Sequence, residues 1–370
     1  MDDRALIWFP GVGWDETKGT DRRIVEEIAS RRSVIWIDPP SRHAWRGWRH
    51  ALRPGLERTD GVLRIRVPAT VGVSRWPFRI LSDFFRWRAL RSAIDHADEA
   101  VIVVANPLAR LPRSSRHARV LYLTDDWIDG ASLMGLPQTH VRAVVAKNTA
   151  RADAVIAVSP PLIEATSAGA HAATAVIPNG APQPRSGGER RKPIAGLVGQ
   201  LNERLDVDTL MAVVQSGVPL RIVGPLVARD IAVRARFEEL FSHPMTDWRG
   251  PVPSSEVGGH LDEIAVGLTP YLSTPFNRAS SPLKTLEYLS AGVPVVSSDL
   301  PASAWLESPD IYIARSSDEF PHLVRAAIDA PSSADDTDRR SRFAAEHSWA
   351  RRACTFIELI DGIDVGKEKQ

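Results

Sequence analysis

Val198-Gly199-Gln200-Leu201-Asn202-Glu203-Arg204 reads as a strand end, a glycine turn and a helix start, with Leu205, Leu210, Val213 and Val214 as the apolar positions that follow. A cation just past such a turn can reach a diphosphate whose oxygens already meet backbone amides, and guanidinium geometry suits bidentate phosphate contact. That chemistry would fall to Gly199, Asn202 and Arg204. The competing reading is a helix start that Asn202, Glu203 and Arg204 simply cap and solvate. Ser280-Ser281-Pro282-Leu283-Lys284-Thr285-Leu286-Glu287 then reads as a loop entering a helix, which Gly292 ends before the strand-like run Val293 to Val296. Serines at a helix N-terminus, with proline at the first helical position, suit an anion. Lys284 and Glu287, three apart on one helical face, could meet phosphate and sugar hydroxyls respectively. They could equally form an ordinary surface ion pair.

Three further places carry polar signals. Phe9-Pro10-Gly11-Val12-Gly13-Trp14 starts like a dinucleotide loop, but Glu16 stands where a third glycine belongs, so a nicotinamide enzyme is disfavoured. Gly11, Gly13 and Trp14 remain as an acceptor or phosphate loop, and Asp38, followed by Pro39 and Pro40, reads as a turn former. Asp125 and Asp126 follow a strand at its C-terminal end, where open α/β sheets place ligands; they are candidate catalytic carboxylates or, alternatively, Asp125 caps a helix or turn and Asp126 faces solvent. From Arg42 to Arg91 twelve arginines face only Glu57, Asp60 and Asp83, a local excess of nine positive charges interleaved with Trp45, Trp48, Trp76, Phe78, Phe84, Phe85 and Trp87. This stretch suits an anionic membrane surface or a phosphorylated lipid, or else a helix packed on a sheet with a solvated basic edge. No nucleic-acid module is recognisable.

These residues need elements to hold them. Short aliphatic runs alternate with helical patterns, the signature of βα units and parallel sheets, so the fold class is α/β. Strands are expected at Ala5 to Phe9, Val34 to Ile37, Val62 to Val67, Val101 to Val104, Val120 to Leu123, Ala154 to Val158 and Ala175 to Ile177. A second series runs through Ile194 to Val198, Leu220 to Val223, Val266 to Thr269, Val293 to Ser297 and Ile311 to Ile313. The Pro- and Gly-rich stretch 179–193 reads as a linker between domains at 1–178 and 194–334, and 335–370 as a closing helix. A length of 370 residues suits two cores. The single Cys354 allows no internal disulfide, and the ten histidines lack metal-ligand spacing, so no metal site is expected. With no basic leader and no long apolar run, the expected location is cytoplasmic, with membrane contact only peripheral, on the inner face.

KTLEYLSAGVPVVSSDLP resembles the donor-site signature of GT-B glycosyltransferases, especially glycosyltransferase family 4. RADAVIAVSPPLIE with VIPNGA, GLVGQLNERLDVDTL, and FAAEHSWARRACTFIELI resemble further segments of that family in the same order. VVANPLARL with VLYLTDDW is most similar to the branch that includes teichuronic-acid-type cell-surface polysaccharide transferases. The resemblance implies two Rossmann-like domains facing a cleft, with the last helix returning to the N-terminal domain. It implies transfer of a sugar from a nucleotide diphosphate sugar to a glycan, lipid-linked or small-molecule acceptor, retaining and without a metal or other cofactor. Arg204 and Lys284 would hold the diphosphate, helped by Gly199, Asn202 and Leu283. Glu287 matches the second glutamate of the family's Glu-x7-Glu pattern, which binds ribose; the first would fall at Ala279 and is missing, leaving Asn277, Ser280 and Ser281 nearby. A non-catalytic nucleotide-sugar or glycan-binding protein of the same fold, or a nucleotide-sugar epimerase, is the alternative.

Overall fold

The computed structural model describes residues 4–16, 18–49, 53–69, 79–113, 116–166, 172–185, 191–330 and 333–363. The chain divides into two compact units, one made of residues 1–178 with 349–370 and the other of residues 179–348.

In the first unit the elements run β1 (Ala5–Phe9), α1 (Thr20–Ala29), β2 (Val34–Ile37), β3 (Trp48–Arg49), β4 (Arg53–Pro54), β5 (Leu56–Thr59), β6 (Val62–Ile65), α2 (Arg79–Ile94), β7 (Ala100–Val104), β8 (Ala118–Leu123), α3 (Gln138–Thr149), β9 (Ala154–Ala157), α4 (Pro160–Ala165) and β10 (Ala173–Val176). Their sheet has the order β10-β9-β8-β7-β1-β2-β6-β5 and is parallel throughout except for β5, which pairs antiparallel with β6. The central strands are apolar on both faces because helices cover both sides of a parallel sheet. Chain order reverses between β1 and β7, so the loops leaving those two strands diverge and open a crevice at their C-terminal ends.

The second unit contains β11 (Ala195–Val198), α5 (Val207–Gln215), β12 (Leu220–Val223), α6 (Ile231–Ser242), β13 (Thr246–Trp248), α7 (Ser254–Glu263), β14 (Val266–Thr269), α8 (Pro275–Ala279), α9 (Leu283–Ser290), β15 (Val295–Ser298), α10 (Pro301–Ala304), β16 (Ile311–Ala314), α11 (Glu319–Asp329) and α12 (Ala334–Glu346). All six strands are parallel in the order β13-β12-β11-β14-β15-β16, and here the reversal falls between β11 and β14. Leu197, Leu210, Leu220, Ile222, Phe237, Val266, Leu268 and Val324 form the core beneath α5, α6 and α11.

The expected single closing helix is two helices. α12 starts on a Ser333/Asp336 capping box and packs on α9, where Arg340 and Arg339 both bind the buried Asp310 at 2.8 Å. The chain breaks at His347 and Ser348, where the His347 carbonyl accepts from the Ala181 amide at 2.8 Å. α13 (Trp349–Asp361) then belongs to the first unit. It lies along α1, its Phe356 ring packs against Trp8 and Tyr122 at 5.3 and 5.5 Å, and its C-terminal carbonyls accept from Arg4. The last helix thus returns to the N-terminal domain. The described part of 179–193 is packed on the second unit: Ala181 is buried, the Arg185 amide donates to the Ser290 carbonyl, and Arg191 donates to the carbonyls of Ile264 and Ala291.

Among the described residues no helix is long and apolar enough to cross a membrane, and no group of three His, Cys, Asp or Glu side chains could hold a metal ion.

Candidate functional site

The reversal between β11 and β14 decides which residues meet in the second unit. The segment leaving β11 and the segment leaving β14 run side by side: the Asp206 amide donates to the Pro270 carbonyl and the Leu272 amide to the Arg204 carbonyl. Arg204 is therefore fixed by its backbone before its side chain is considered. Its Nε donates to Asn277 Oδ1 at 2.8 Å and its guanidinium to Ser280 Oγ at 3.1 Å. The rings of Phe276 and Tyr271 lie against it, 4.7 and 5.2 Å from the guanidinium carbon. Asn277, fully buried, returns both amide hydrogens to the carbonyls of Arg204 and Leu272. A guanidinium held this way is a pre-placed cation with little side-chain entropy left to lose.

α9 brings in the second cation. Gly267 of β14 has no side chain where Tyr288 lies flat on the strand; an added methyl would fall 2.3 Å from the ring. The Tyr288 hydroxyl then reaches through the sheet surface to accept from the Val198 amide at 2.9 Å. Burial pushes that phenol's pKa far above its usual value, which keeps it a neutral hydrogen-bonding partner. Tyr288 thus seats α9 over the end of β11. One turn earlier, Lys284 crosses the glycine turn: a methyl built on Gly199 would fall 2.8 Å from Lys284 Cε. Lys284 Nζ also binds Glu287 Oε2 at 2.8 Å, the ion pair expected as one of two readings. An ammonium has three donors, so this pairing leaves it able to meet phosphate.

The glycine turn itself differs from expectation. The Gly199 amide donates to the Val223 carbonyl and that of Leu201 to Pro225, so neither faces a ligand. Gly199, at φ +144°, contributes space for Lys284. Of the neighbours, the Asn202 side chain accepts from the Arg204 amide and Glu203 ties down the amides of Arg229 and Asp230. Ser281 Oγ accepts from the Asn179 amide, and Leu283 is half-buried at the helix start. Gly199, Asn202, Arg204, Asn277, Ser280, Lys284 and Glu287 are thus brought together at the ends of β11 and β14. Tyr271, Phe276, Gly224 and Tyr288, none of them singled out from the sequence, complete the arrangement.

The first unit's loop is occupied from within. The Gly11 amide donates to Asp21 at 2.8 Å and the Trp14 amide to Asp38 at 3.0 Å, so these two amides serve carboxylates of the chain itself. Trp14 is buried, edge-on to Trp36 and under Arg22, and Gly13 accepts from the Glu16 amide. Asp38 also accepts from Trp36 Nε1 and Arg64, and so ties three segments together. Burial pushes Asp21 up from 3.8 to about 7. Past β8, Asp126 accepts from the amides of Ile128 and Asp129, so the capping role expected of Asp125 falls to Asp126, which is half-buried rather than facing solvent, and burial raises its pKa. Asp125 is half-exposed beside it and accepts from the Asp126 amide at 3.2 Å.

Residues 204–358 match the family model described as glycosyl transferase-like. A protein named as a teichuronic acid biosynthesis glycosyltransferase of Bacillus subtilis (strain 168) is 40% identical over 76 residues, which span 20% of this chain and 19% of that one. In backbone the chain is similar to Anabaena HepE solved with UDP and glucose, with TM-score 0.68, 13% identity, and 96% and 99% of the two chains covered. It is also similar to the E. coli trehalose-6-phosphate protein solved with UDP-2-fluoro glucose, with TM-score 0.70, 11% identity, and 97% and 99% covered. With two parallel-sheet units and this likeness along nearly its whole length, the chain has the GT-B fold, and over residues 204–358 it is similar in sequence to the glycosyl transferase-like family.

Proposed function

We propose that the protein is a glycosyltransferase that takes a sugar from a nucleotide diphosphate sugar held by its second unit. The observation that carries this reading is the convergence of Arg204 and Lys284, from two separate segments, on the C-terminal end of β11. Cleaving a glycosyl–phosphate bond loads negative charge onto the departing diphosphate, and fixed cations there stabilise the transition state more than the ground state. Arg204, locked by Asn277 and Ser280, needs no reorganisation to do so. Lys284 reaches the same place over Gly199, and Glu287 one turn on takes the ribose hydroxyls. These two cations fill the electrostatic role that a metal fills elsewhere, so transfer is assigned as metal-independent, and by family resemblance as retaining. Asp125 is assigned to the acceptor, a glycan, lipid-linked or small-molecule hydroxyl. The solved relatives carry UDP and UDP-glucose, which makes these the first ligands to test.

Each charge-assisted hydrogen bond is worth about 1.5–3 kcal/mol. The Arg204→Ala, Lys284→Ala double variant is therefore expected to bind UDP at least about a hundredfold more weakly by calorimetry. A folded double variant that binds UDP as tightly as the parent refutes the donor assignment. Equal affinity of the parent for UDP and its 2′,3′-dideoxy form removes Glu287 from the ribose. Failure of the parent to release sugar from any nucleotide diphosphate sugar in the presence of acceptors would leave a binding protein.

A further inference from the structure

α2 is apolar on two faces. Its inner face, with Ser82, Phe85, Ala89, Leu90 and Ala93 buried, packs toward β1, β2 and β4, and Phe85 meets the Trp48 ring at 5.0 Å. A surface helix should then turn charge to solvent. Instead Ile80 is 57% exposed, Leu81 46%, Phe84 39% and Trp87 48%. These are four of the eleven large apolar side chains exposed among the described residues, so the feature is concentrated here. At 3.6 residues per turn, Ile80, Phe84, Trp87 and Arg91 fall within an arc of about 60°. The Arg91 guanidinium lies 5.1 Å from the centre of the Trp87 ring.

Charge selects the occupant. The helix contains one acid, Asp83, and it is bound by Arg86 and Arg110. The outward face therefore offers Trp, Phe, Leu and Ile with arginine at its edge, and the one carboxylate of the helix is paired with arginine. A chain with a net charge of only +1 holds its arginine excess in this region. We propose that the outward face of α2 docks on an anionic lipid surface, with Ile80, Leu81, Phe84 and Trp87 entering the interface and Arg91 meeting the headgroups. Not every arginine of the region takes part: Arg64 is buried between Asp15 and Asp38, Arg66 pairs with Glu57, and Arg86 turns inward to Asp83 and the Leu108 carbonyl. Trp76 and Phe78 lie outside the described residues, as do the side chains of Trp45, Arg46, Arg49 and Arg79.

The test is co-sedimentation of the full chain with phosphatidylglycerol-containing and pure phosphatidylcholine vesicles. The parent is expected to sediment with the anionic vesicles alone, and far less at about 1 M salt than at about 0.1 M, where the Debye length is about 10 Å instead of about 3 Å. Phe84→Ser with Trp87→Ser, both at exposed positions, is expected to weaken partitioning at least about tenfold while keeping the parent's thermal midpoint. Arg91→Gln is expected to weaken it and to flatten its salt dependence. A folded parent that ignores anionic vesicles overturns the proposal, and so does equal partitioning of the serine variant. A parent dimer in solution that the serine variant abolishes would assign the face to a second copy instead. None of these readouts involves a nucleotide, so they stand apart from the donor assignment.

Discussion

Asp21 offers a perturbation whose size can be worked from the structure. It stands in the first turn of α1, wholly buried, with Oδ2 accepting from the Gly11 amide. Burial pushes its carboxyl up from 3.8 to about 7, partly offset by the Gly11 amide and the Trp8 indole. Between those two pH values the folded protein keeps a proton that the unfolded chain has released. Stability associated with this group is therefore fully present below about pH 4, falls as pH rises, and levels off above about pH 7. At about 1.36 kcal/mol per pKa unit the whole loss is about 4 kcal/mol. Asp21→Asn keeps an acceptor for Gly11 and cannot ionise. The variant is expected to match or trail the parent near pH 4 and to exceed it at pH 8, by an amount approaching that loss. Urea unfolding of both proteins from pH 4 to 8 measures this, because the difference between the two curves cancels every other titrating group. A difference that stays flat across the range would refute the reasoning. It would mean that Asp21 is ionised in the fold, with its charge met by a partner other than Gly11.

Gly224→Ala is expected to damage the donor site from a distance: φ there is +144°, and the new methyl would fall 1.8 Å from the Gly199 carbonyl oxygen. Strain of about 1–3 kcal/mol and displacement of the 199–204 turn should lower both the thermal midpoint and UDP affinity. Gly217→Ala, also at positive φ but with only Arg325 at 3.6 Å, should lower the midpoint alone; unchanged UDP binding in the Gly224 variant counts against the role of that turn. Asp125→Asn is expected to cut transfer by about 10²–10⁴-fold with UDP affinity unchanged, as loss of a group acting on the acceptor should. Wild-type turnover in that variant would leave Asp125 as a structural turn residue like Asp126.

Features that a chain writes locally were legible, and features that arise from long-range meetings were not. Aliphatic runs such as Val101 to Val104 announce buried parallel strands, whereas β5, Leu56–Thr59, is a polar edge strand with no apolar run to betray it. α7 hides for another reason: two adjacent glycines, Gly258 and Gly259, lower its helix propensity, and only Gly258 and Leu261 are buried. Nothing in the helical pattern from Ala334 to Asp361 marks the break at His347, because the break is where the chain passes from one unit to the other. In the site, Arg204, Lys284 and Glu287 sit in short motifs whose spacing alone fits a helix cap and a surface ion pair equally well, and the donor roles came from the family resemblance. The aromatic walls of Arg204 and the contact of Gly224 with Gly199 depend on which strands are neighbours, a matter that spacing does not encode.

Charge was the least transferable signal, and the reason bears on the membrane proposal. Twelve arginines between Arg42 and Arg91 count alike in sequence, yet the fold sorts them by partner. Arg64 is a buried strut between Asp15 and Asp38, and Arg86 is desolvated enough to lower its pKa while it holds Asp83. Each is spent on architecture, and removing either would unsettle the first unit before it could reveal anything about a lipid surface. Arg91, packed on an exposed tryptophan, is of the other kind. An electrostatic test of this region therefore has to be made at Arg91 and at its apolar neighbours on α2, since loss of binding after a change at Arg64 or Arg86 would report on folding.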